Sequence, residues 1–284
     1  MIYGLVAAIG WGLADFGGAV VGRKIGSLAT VLVSQTFNAL VMTIVLIAGR
    51  QDVTVLGPYL GFVVLNGLAA AAAYVTHYRA LELGPVTVVS PVGATYAVVG
   101  VVLAIVVLGE RPGALALAGG AVTVVGVMLA STDLRKVEET VHRERPAGLP
   151  WAIASAVLFG VGGFLLGYLS KRVGWVTGLW ASRTAQFVAF FVFAVFRRPD
   201  GSGIGLNGWT AGAIAVGVAD LLGVVAFASG AAAGYLSIVL AASAVFPLIA
   251  VALSIGYLHE RPVPNQYLGI ALVVGGLLML GLGS

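Results

Sequence analysis

Long apolar stretches follow one another along the chain, and each ends at a short cluster of charged residues, glycine or proline. About 20 apolar residues are enough for a helix to cross the hydrocarbon core of a bilayer. The stretches are apolar on every side, whereas lipid-spanning strands alternate apolar and polar residues. The pattern therefore predicts an all-α polytopic membrane protein with ten transmembrane helices. Their approximate bounds are 2–22, 28–49, 58–82, 86–108, 114–131, 149–170, 175–196, 208–229, 234–258 and 264–282.

The composition agrees with a chain whose outer surface faces lipid. Hydrophobic residues make up 60% of the sequence and charged residues 9%, and the mean hydropathy is +1.06. A soluble domain carries about 25% charged residues, so disordered chains and soluble enzymes are excluded. The net charge of +4 is too small and too scattered for a nucleic-acid partner. With no cysteine in the chain, disulfides, thiolate catalysis and cysteine-ligated metals are excluded as well.

The two halves of the sequence resemble each other. A shift of 150 residues aligns Gly84–Ser131 with Gly234–Gly281, and 14 of these 48 positions are identical, including the two Glu-Arg-Pro triplets that begin at Glu110 and Glu260. We therefore predict two repeats, 1–131 and 149–284, joined by a polar loop at 132–148. Five helices per repeat is an odd number, so the second repeat enters the membrane upside down. Inverted repeats of this kind are typical of alternating-access transporters.

These features resemble the EamA-type transporters of the drug/metabolite transporter superfamily. The resemblance rests on the Glu-Arg-Pro turn before a glycine-bearing last helix in each repeat, on the Trp11-Gly12 pair in the first helix, and on Pro247. It covers essentially the whole chain. It implies a membrane transporter that exports amino acids, nucleotide-sugar-like compounds, other metabolites or drugs. Pro91 and Pro247 free one backbone carbonyl each and are predicted to bend the fourth and ninth helices toward the centre.

Three charged residues fall well inside predicted spans: Asp15, Arg183 and Asp220. Each costs about 2.5–3.5 kcal/mol at the centre of a membrane helix, so such residues usually face a cavity or a partner. The functional interpretation is a central polar site. In that site Arg183 attracts a carboxylate or phosphate, and an aspartate accepts a proton or a substrate ammonium group. The alternative is an Arg183–Asp220 ion pair that only fixes helix packing.

Four further residues are candidates for the same site. Gln35, Asn66 and Tyr96 offer hydrogen bonds without charge, and polar side chains inside lipid spans tend to face the interior of the bundle. His77 lies about one turn inside the end of the third helix, where it could titrate near neutral pH. A lone histidine supports no metal site. The sequence predicts no cofactor.

The leading functional hypothesis is a secondary transporter that exports a small polar or amphipathic metabolite such as an amino acid. A metabolite that carries an anionic group is favoured. No nucleotide-binding motif is present, so either the gradient of a coupling proton, ion or solute supplies the energy, or transport is downhill. One alternative is multidrug efflux with Asp15 as the proton or cation site, and another is a membrane scaffold or receptor that transports nothing. An enzyme is disfavoured because the three histidines form no catalytic motif.

The distribution of positive charge conflicts with the resemblance on orientation. Ten helices put both termini on one side, which carries four basic loop residues, while the other side carries ten. The positive-inside rule then places the termini outside, whereas the family resemblance places them in the cytoplasm. Localisation to a bacterial plasma membrane is expected, and the side of the termini and the oligomeric state stay open.

Overall fold

The computed structural model describes residues 1–83, 92–132, 134, 147–197, 208–249, 252–253 and 263–283. Within these ranges the chain is helical and contains no strand. A 3-10 helix spans Thr54–Tyr59. The principal helices, which we number in chain order, are α1 Ile2–Ile25, α2 Ser27–Ala48, α3 Leu60–Leu83, α4 Tyr96–Leu108, α5 Ala114–Ser131, α6 Leu149–Val173, α7 Trp175–Arg197, α8 Gly208–Ala233, α9 Leu236–Ser243 and α10 Pro264–Leu282.

Seven helices within the described residues are long and apolar enough to cross a bilayer. They are α1, α2, the helical stretch that includes α3, α5, α6, α8 and α10. Shorter apolar helices cover Val92–Leu108 and Leu236–Ile249, and α7 carries the polar residues Arg183 and Gln186. The all-helical membrane class is confirmed, while the number of ten spans stays a prediction.

The ninth predicted span differs most from its expected bounds among the described residues. It was expected to cover 234–258 without a break, but α9 ends at Ser243 and a turn at residues 244–245 precedes the helical residues 246–249. Pro247 lies just after this turn, where its ring disfavours a regular helix at the preceding residues. Pro91, predicted to bend the fourth helix, lies outside the described residues.

Helices of the first predicted repeat pack mainly against helices of the second. The most extensive contacts join α5 with α10, α1 with α8 and α3 with α6. If α1 corresponds to α6 and α3 to α8, the last two pairs are equivalent under a two-fold rotation. This arrangement agrees with two copies that face each other, and it puts the junction between them in the middle of the bundle.

Glycines set the distance between α5 and α10. A Cβ atom added to Gly119 would lie 2.7 Å from the carbonyl oxygen of Gly276, and one added to Gly126 would lie 2.8 Å from that of Gly269. The two helices are antiparallel at this crossing, so each glycine of α5 meets the opposite member of the α10 pair. Small residues let backbones approach closely where lipid supplies no hydrophobic driving force. This crossing therefore tolerates no side chain.

The connection between α2 and α3 contains a short polar turn. The hydroxyl and the backbone N–H of Thr54 both donate to Asp52 Oδ1, at 2.7 and 2.8 Å. These hydrogen bonds favour the ionised form and hold the pKa of the Asp52 carboxyl below its usual value. The turn leads directly into the 3-10 helix that precedes α3.

Candidate functional site

A buried ion pair joins α7 and α8 near the middle of the bundle. Arg183 Nη2 lies 3.1 Å from Asp220 Oδ2, and both residues are only 7% exposed. Two of the three charged residues predicted from the sequence are thus in direct contact. The ion pair itself is present, whether it binds substrate or only fixes helix packing.

Three amides from α2 and α7 surround this pair. Arg183 Nη1 donates to the side-chain oxygens of Gln35 and Gln186, at 3.0 Å each. Asn38 Nδ2 donates to Asp220 Oδ2 at 2.7 Å, and Gln35 Nε2 approaches the same oxygen at 3.4 Å. All three amide residues are buried. We call these five residues, from three helices and both halves of the chain, the central network.

The central network leaves several hydrogen-bonding groups unused. Arg183 Nε, Asn38 Oδ1 and Gln186 Nε2 are buried and have no partner in the part of the chain that the structure describes. An unsatisfied buried polar group costs about 1–3 kcal/mol. A network built only to fix helix packing would be expected to satisfy its own members. The spare donors and acceptor therefore give this region the capacity to bind a polar group.

Asp15 is exposed, although it lies on the inner face of α1. The outer face is marked by the exposed side chains of Ile2, Val6, Ile9 and Leu13, which face lipid. At 3.6 residues per turn, Asp15 is about 200° around the helix from Leu13. Its exposed surface therefore faces the interior of the bundle.

The surroundings of Asp15 connect it to the central network. Asp15 lies on α1 and Asp220 on α8, and these two helices share one of the most extensive contacts in the bundle. Because Asp220 is already paired with Arg183, Asp15 is left as the acidic group without a described ion-pair partner in this region. A cation between the two carboxylates would reduce their repulsion.

Aromatic side chains line the same part of α1 and α4. The hydroxyl groups of Tyr96 and Ser243 are 2.7 Å apart, which ties α4 to the end of α9. The rings of Trp11 and Phe227 lie 5.4 Å apart between centroids in a tilted arrangement. Tyr96 therefore contacts α9, and Trp11 contacts α8.

Two predicted site residues contact α6 and are not members of the central network. Asn66 Nδ2 donates to the carbonyl oxygen of Gly162 at 2.8 Å, which holds α3 against α6. His77 Nδ1 lies 3.5 Å from Ser155 Oγ, and its ring packs edge-on against Phe159. Both residues have local partners at the α3–α6 contact.

A second buried ionic group lies at the end of the bundle that carries the chain termini. Glu110 Oε1 accepts the backbone N–H of Leu236 at 2.8 Å, and Oε2 accepts the backbone N–H and hydroxyl of Ser237 at 2.9 and 2.7 Å. Lys171 Nζ lies 3.3 Å from Oε1 and also donates to the carbonyl oxygen of Gly234. We call Glu110, Lys171, Leu236 and Ser237 the Glu110 cluster.

The sequence interpretation of the Glu-Arg-Pro turn missed this contact. Glu110 lies just before α5, where a carboxylate would favour the start of that helix, yet it caps the first turn of α9 in the other half of the chain. Sequence reasoning also did not single out Gln186, although it lies three residues after Arg183 and therefore on the same helix face. That spacing is the signal that could have identified it.

The comparisons with known proteins agree with this architecture. The family model of the EamA-like transporter family matches residues 1–132 and 146–282. The chain belongs to the EamA-like transporter family. This family is part of the drug/metabolite transporter superfamily, so the sequence resemblance is confirmed, and membership indicates an integral membrane transporter of small molecules.

Similarity outside the family model extends to the fold. One crystal structure of another protein superposes with a TM-score of 0.76 at 17% sequence identity, covering 99% of this chain and 96% of the other. At that identity the likeness shows the fold alone. No curated protein matches the sequence, so the substrate of this EamA-like transporter has to be argued from its own residues.

Proposed function

We propose that this EamA-like protein is a secondary transporter that exports a small polar or amphipathic metabolite, such as an amino acid, across a bacterial plasma membrane by alternating access. The substrate binds between the two halves, beside Asp15 and the central network. The observation that carries the proposal is an exposed carboxylate on the inner face of α1, next to a buried network with unused hydrogen-bonding groups.

Each group has a role in this proposal. Asp15 binds the ammonium group of the substrate or a coupling proton. The unused N–H donors of Arg183 and Gln186 bind the anionic or other accepting part, and the unused oxygen of Asn38 accepts a hydrogen bond from a polar donor of the substrate. The ion pair with Asp220 holds the Arg183 side chain in place, so that a weak anionic ligand does not have to offset the whole desolvation of the guanidinium.

Multidrug efflux is the second candidate, and one observation favours it. Repulsion by Arg183 would disfavour a cationic drug, but Asp220 offsets that charge at 3.1 Å. Asp15 then makes the site negative overall, which suits an organic cation. The two candidates differ in whether the substrate must carry a group that interacts with Arg183 as well as one that interacts with Asp15.

Transport into liposomes tests the proposal. The purified protein is reconstituted, and uptake of radiolabelled amino acids and of cationic dyes is measured with and without a pH gradient. Asp15→Asn should reduce uptake about tenfold or more, because a charge-assisted hydrogen bond contributes about 1.5–3 kcal/mol and 1.4 kcal/mol is a factor of ten. Asp52→Asn is the matched control, since it neutralises an exposed loop carboxylate, and it should leave uptake unchanged.

The outcomes separate the candidates. Uptake of amino acids that depends on Asp15 and also falls when Gln186 is changed to alanine supports the metabolite transporter. Uptake of cationic dyes that depends on Asp15 but not on Gln186 supports multidrug efflux. An uptake rate that is unchanged in Asp15→Asn would overturn the proposed site. An uptake rate that is the same with and without a pH gradient would overturn proton coupling.

A further inference from the structure

The Glu110 cluster is not used by the proposed transport site, yet it contains a buried carboxylate of the first half whose partners all come from the second half of the chain. Glu110 belongs to the turn between α4 and α5, while its partners come from the end of α6 and the start of α9. Both chain termini lie at the same end of the bundle. A Cβ added to Gly113, just before α5, would lie 3.2 Å from the carbonyl oxygen of Gly283, and one added to Gly281 would lie 3.0 Å from the side chain of Met1. The cluster therefore joins the two halves at one end of the bundle.

An apolar seam lies beside the cluster. Leu236 and Leu240 of α9 are fully buried. The side chain of Leu240 packs against Gly100 of α4 and Gly163 of α6, and that of Leu236 packs against Gly167 of α6. While the first turn of α9 is attached to Glu110, these leucines fill the space between α4 and α6 at this end of the bundle.

The chemistry of the cluster permits reversible release. Both carboxylate oxygens of Glu110 accept hydrogen bonds from the first turn of a helix, where the helix dipole favours negative charge. Lys171 is 26% exposed at its side chain, so the cluster borders on solvent. When α9 moves away, water can replace the lost partners of the carboxylate and of the free N–H groups. An equally large break in the middle of the membrane would leave bare charges in hydrocarbon.

We propose that the Glu110 cluster is a latch that closes the transport pathway at the end of the bundle bearing the chain termini, and that detachment of the first turn of α9 from Glu110 opens this end. The inference rests on the proposed alternating-access function. The residues that act are Glu110 as acceptor, the N–H groups of Leu236 and Ser237 as donors, and Lys171 as the cation that stabilises the closed form.

Distance measurements between two spin labels test the latch. The chain has no cysteine, so labels can be attached to Leu115→Cys at the start of α5 and Ala233→Cys at the end of α8, both at exposed positions. Pulsed electron–electron double resonance of the labelled protein in nanodiscs gives the distribution of distances between the two labels across this end of the bundle. Glu110→Gln should add or enlarge a population several ångströms longer than in the parent protein, because the charge that binds α9 is lost.

Three further variants make the outcome decisive. Arg111→Gln is the matched control, since it removes an exposed charge from the same turn and should leave the distribution unchanged. Ser237→Ala removes one of the three hydrogen bonds from α9 and should give a smaller shift than Glu110→Gln. Lys171→Met removes the ion pair while leaving the carboxylate in place, and it decides the question if Glu110→Gln does not yield a monodisperse protein.

The results distinguish the latch from the transport function on which it rests. Unchanged distances in both Glu110→Gln and Lys171→Met, or an equal shift in Arg111→Gln, would overturn the latch. These measurements need no substrate. A protein that shows the expected shifts but transports nothing would contradict the proposed function alone, whereas a transporting protein with unchanged distances would contradict the latch alone.

Discussion

The central network and the Glu110 cluster are both buried ionic groups, but they differ in how completely their members are paired. In the Glu110 cluster, both carboxylate oxygens accept hydrogen bonds and a lysine lies within ion-pair distance. In the central network, three described donors converge on Asp220 Oδ2, while polar atoms on Arg183, Asn38 and Gln186 stay without partners.

This difference indicates different tasks. A fully hydrogen-bonded group at the edge of the membrane holds two segments together and can exchange its partners for water when it opens. A group in the middle of the membrane has no water to replace missing partners. Its unpaired polar atoms are therefore stabilised most by a ligand that brings matching polar groups. The contrast predicts that loss of the Asp220 carboxylate from the central network destabilises the protein more than loss of the Glu110 carboxylate.

The largest expected effect follows from breaking the central ion pair. Asp220→Ala leaves the Arg183 guanidinium buried without its counter-charge, and removing one partner of a buried pair costs about 3–5 kcal/mol. The free energy of unfolding in mixed detergent micelles, measured by titration with a denaturing detergent, should fall by that amount.

A double variant serves as the control for this prediction. Arg183→Met combined with Asp220→Leu removes both charges at once and should recover most of the lost stability, because buried ion pairs replaced by apolar residues are often neutral. If the double variant were as unstable as the single one, the loss would come from packing and the electrostatic explanation would be wrong.

The second effect is the loss of the Glu110 carboxylate. Glu110→Ala leaves the backbone N–H groups of Leu236 and Ser237 without their acceptor, and an unsatisfied buried donor costs about 1–3 kcal/mol. Access of water at this end should keep the loss in the unfolding titration below that of Asp220→Ala. Arg111→Ala, in the same turn but exposed, should change stability little. The reverse order of the two losses would contradict the comparison.

The class of fold could be predicted from the sequence because burying a polar group in lipid costs free energy at every position of a span, so the whole span is apolar. The apolar stretches predicted helices whose bounds agree with α1, α3 and α5 to within a few residues. The repeat in sequence also agrees with the equivalent contacts of α1 with α8 and of α3 with α6. Seven helices meet the criteria for membrane spans, so the existence of the class was predictable, while the number of spans depends on short or polar helices such as α9 and α7.

The site was predictable only in part because burial reveals an expensive residue but not its partner. The scarcity of charge singled out Asp15, Arg183 and Asp220, and the structure joins the last two directly. The scarcity of charge could not reveal that Asn66 and His77 contact α6 instead, since every polar residue in an apolar span gives the same signal in the sequence. Nor could it reveal the partner of Glu110, because a contact between residues 126 positions apart depends on the packing of the two halves.

A smaller effect is expected for Gln186. Its side-chain oxygen accepts from Arg183 Nη1 at 3.0 Å, but its Nε2 is an unsatisfied buried donor. Gln186→Ala loses one bond to a charged group and also removes the unsatisfied donor, so the two contributions oppose each other and the net loss of unfolding free energy should be about 1 kcal/mol. A loss as large as that of Asp220→Ala would show that Gln186 has further partners and would weaken the case for spare capacity in the network.

The smallest effect on stability is expected for Asp15, although it should have the largest effect on transport. No ion pair or hydrogen bond ties its carboxylate to a described residue, and its surface is exposed within the bundle. Asp15→Asn should therefore change the free energy of unfolding by less than about 0.5 kcal/mol, as substitutions at exposed positions usually do. Removing one of two repelling carboxylates could even stabilise the protein slightly. A loss of several kcal/mol of unfolding free energy together with lost uptake would instead assign Asp15 a structural role. The distinction between a substrate-binding carboxylate and the structural ion pairs would then be wrong for Asp15.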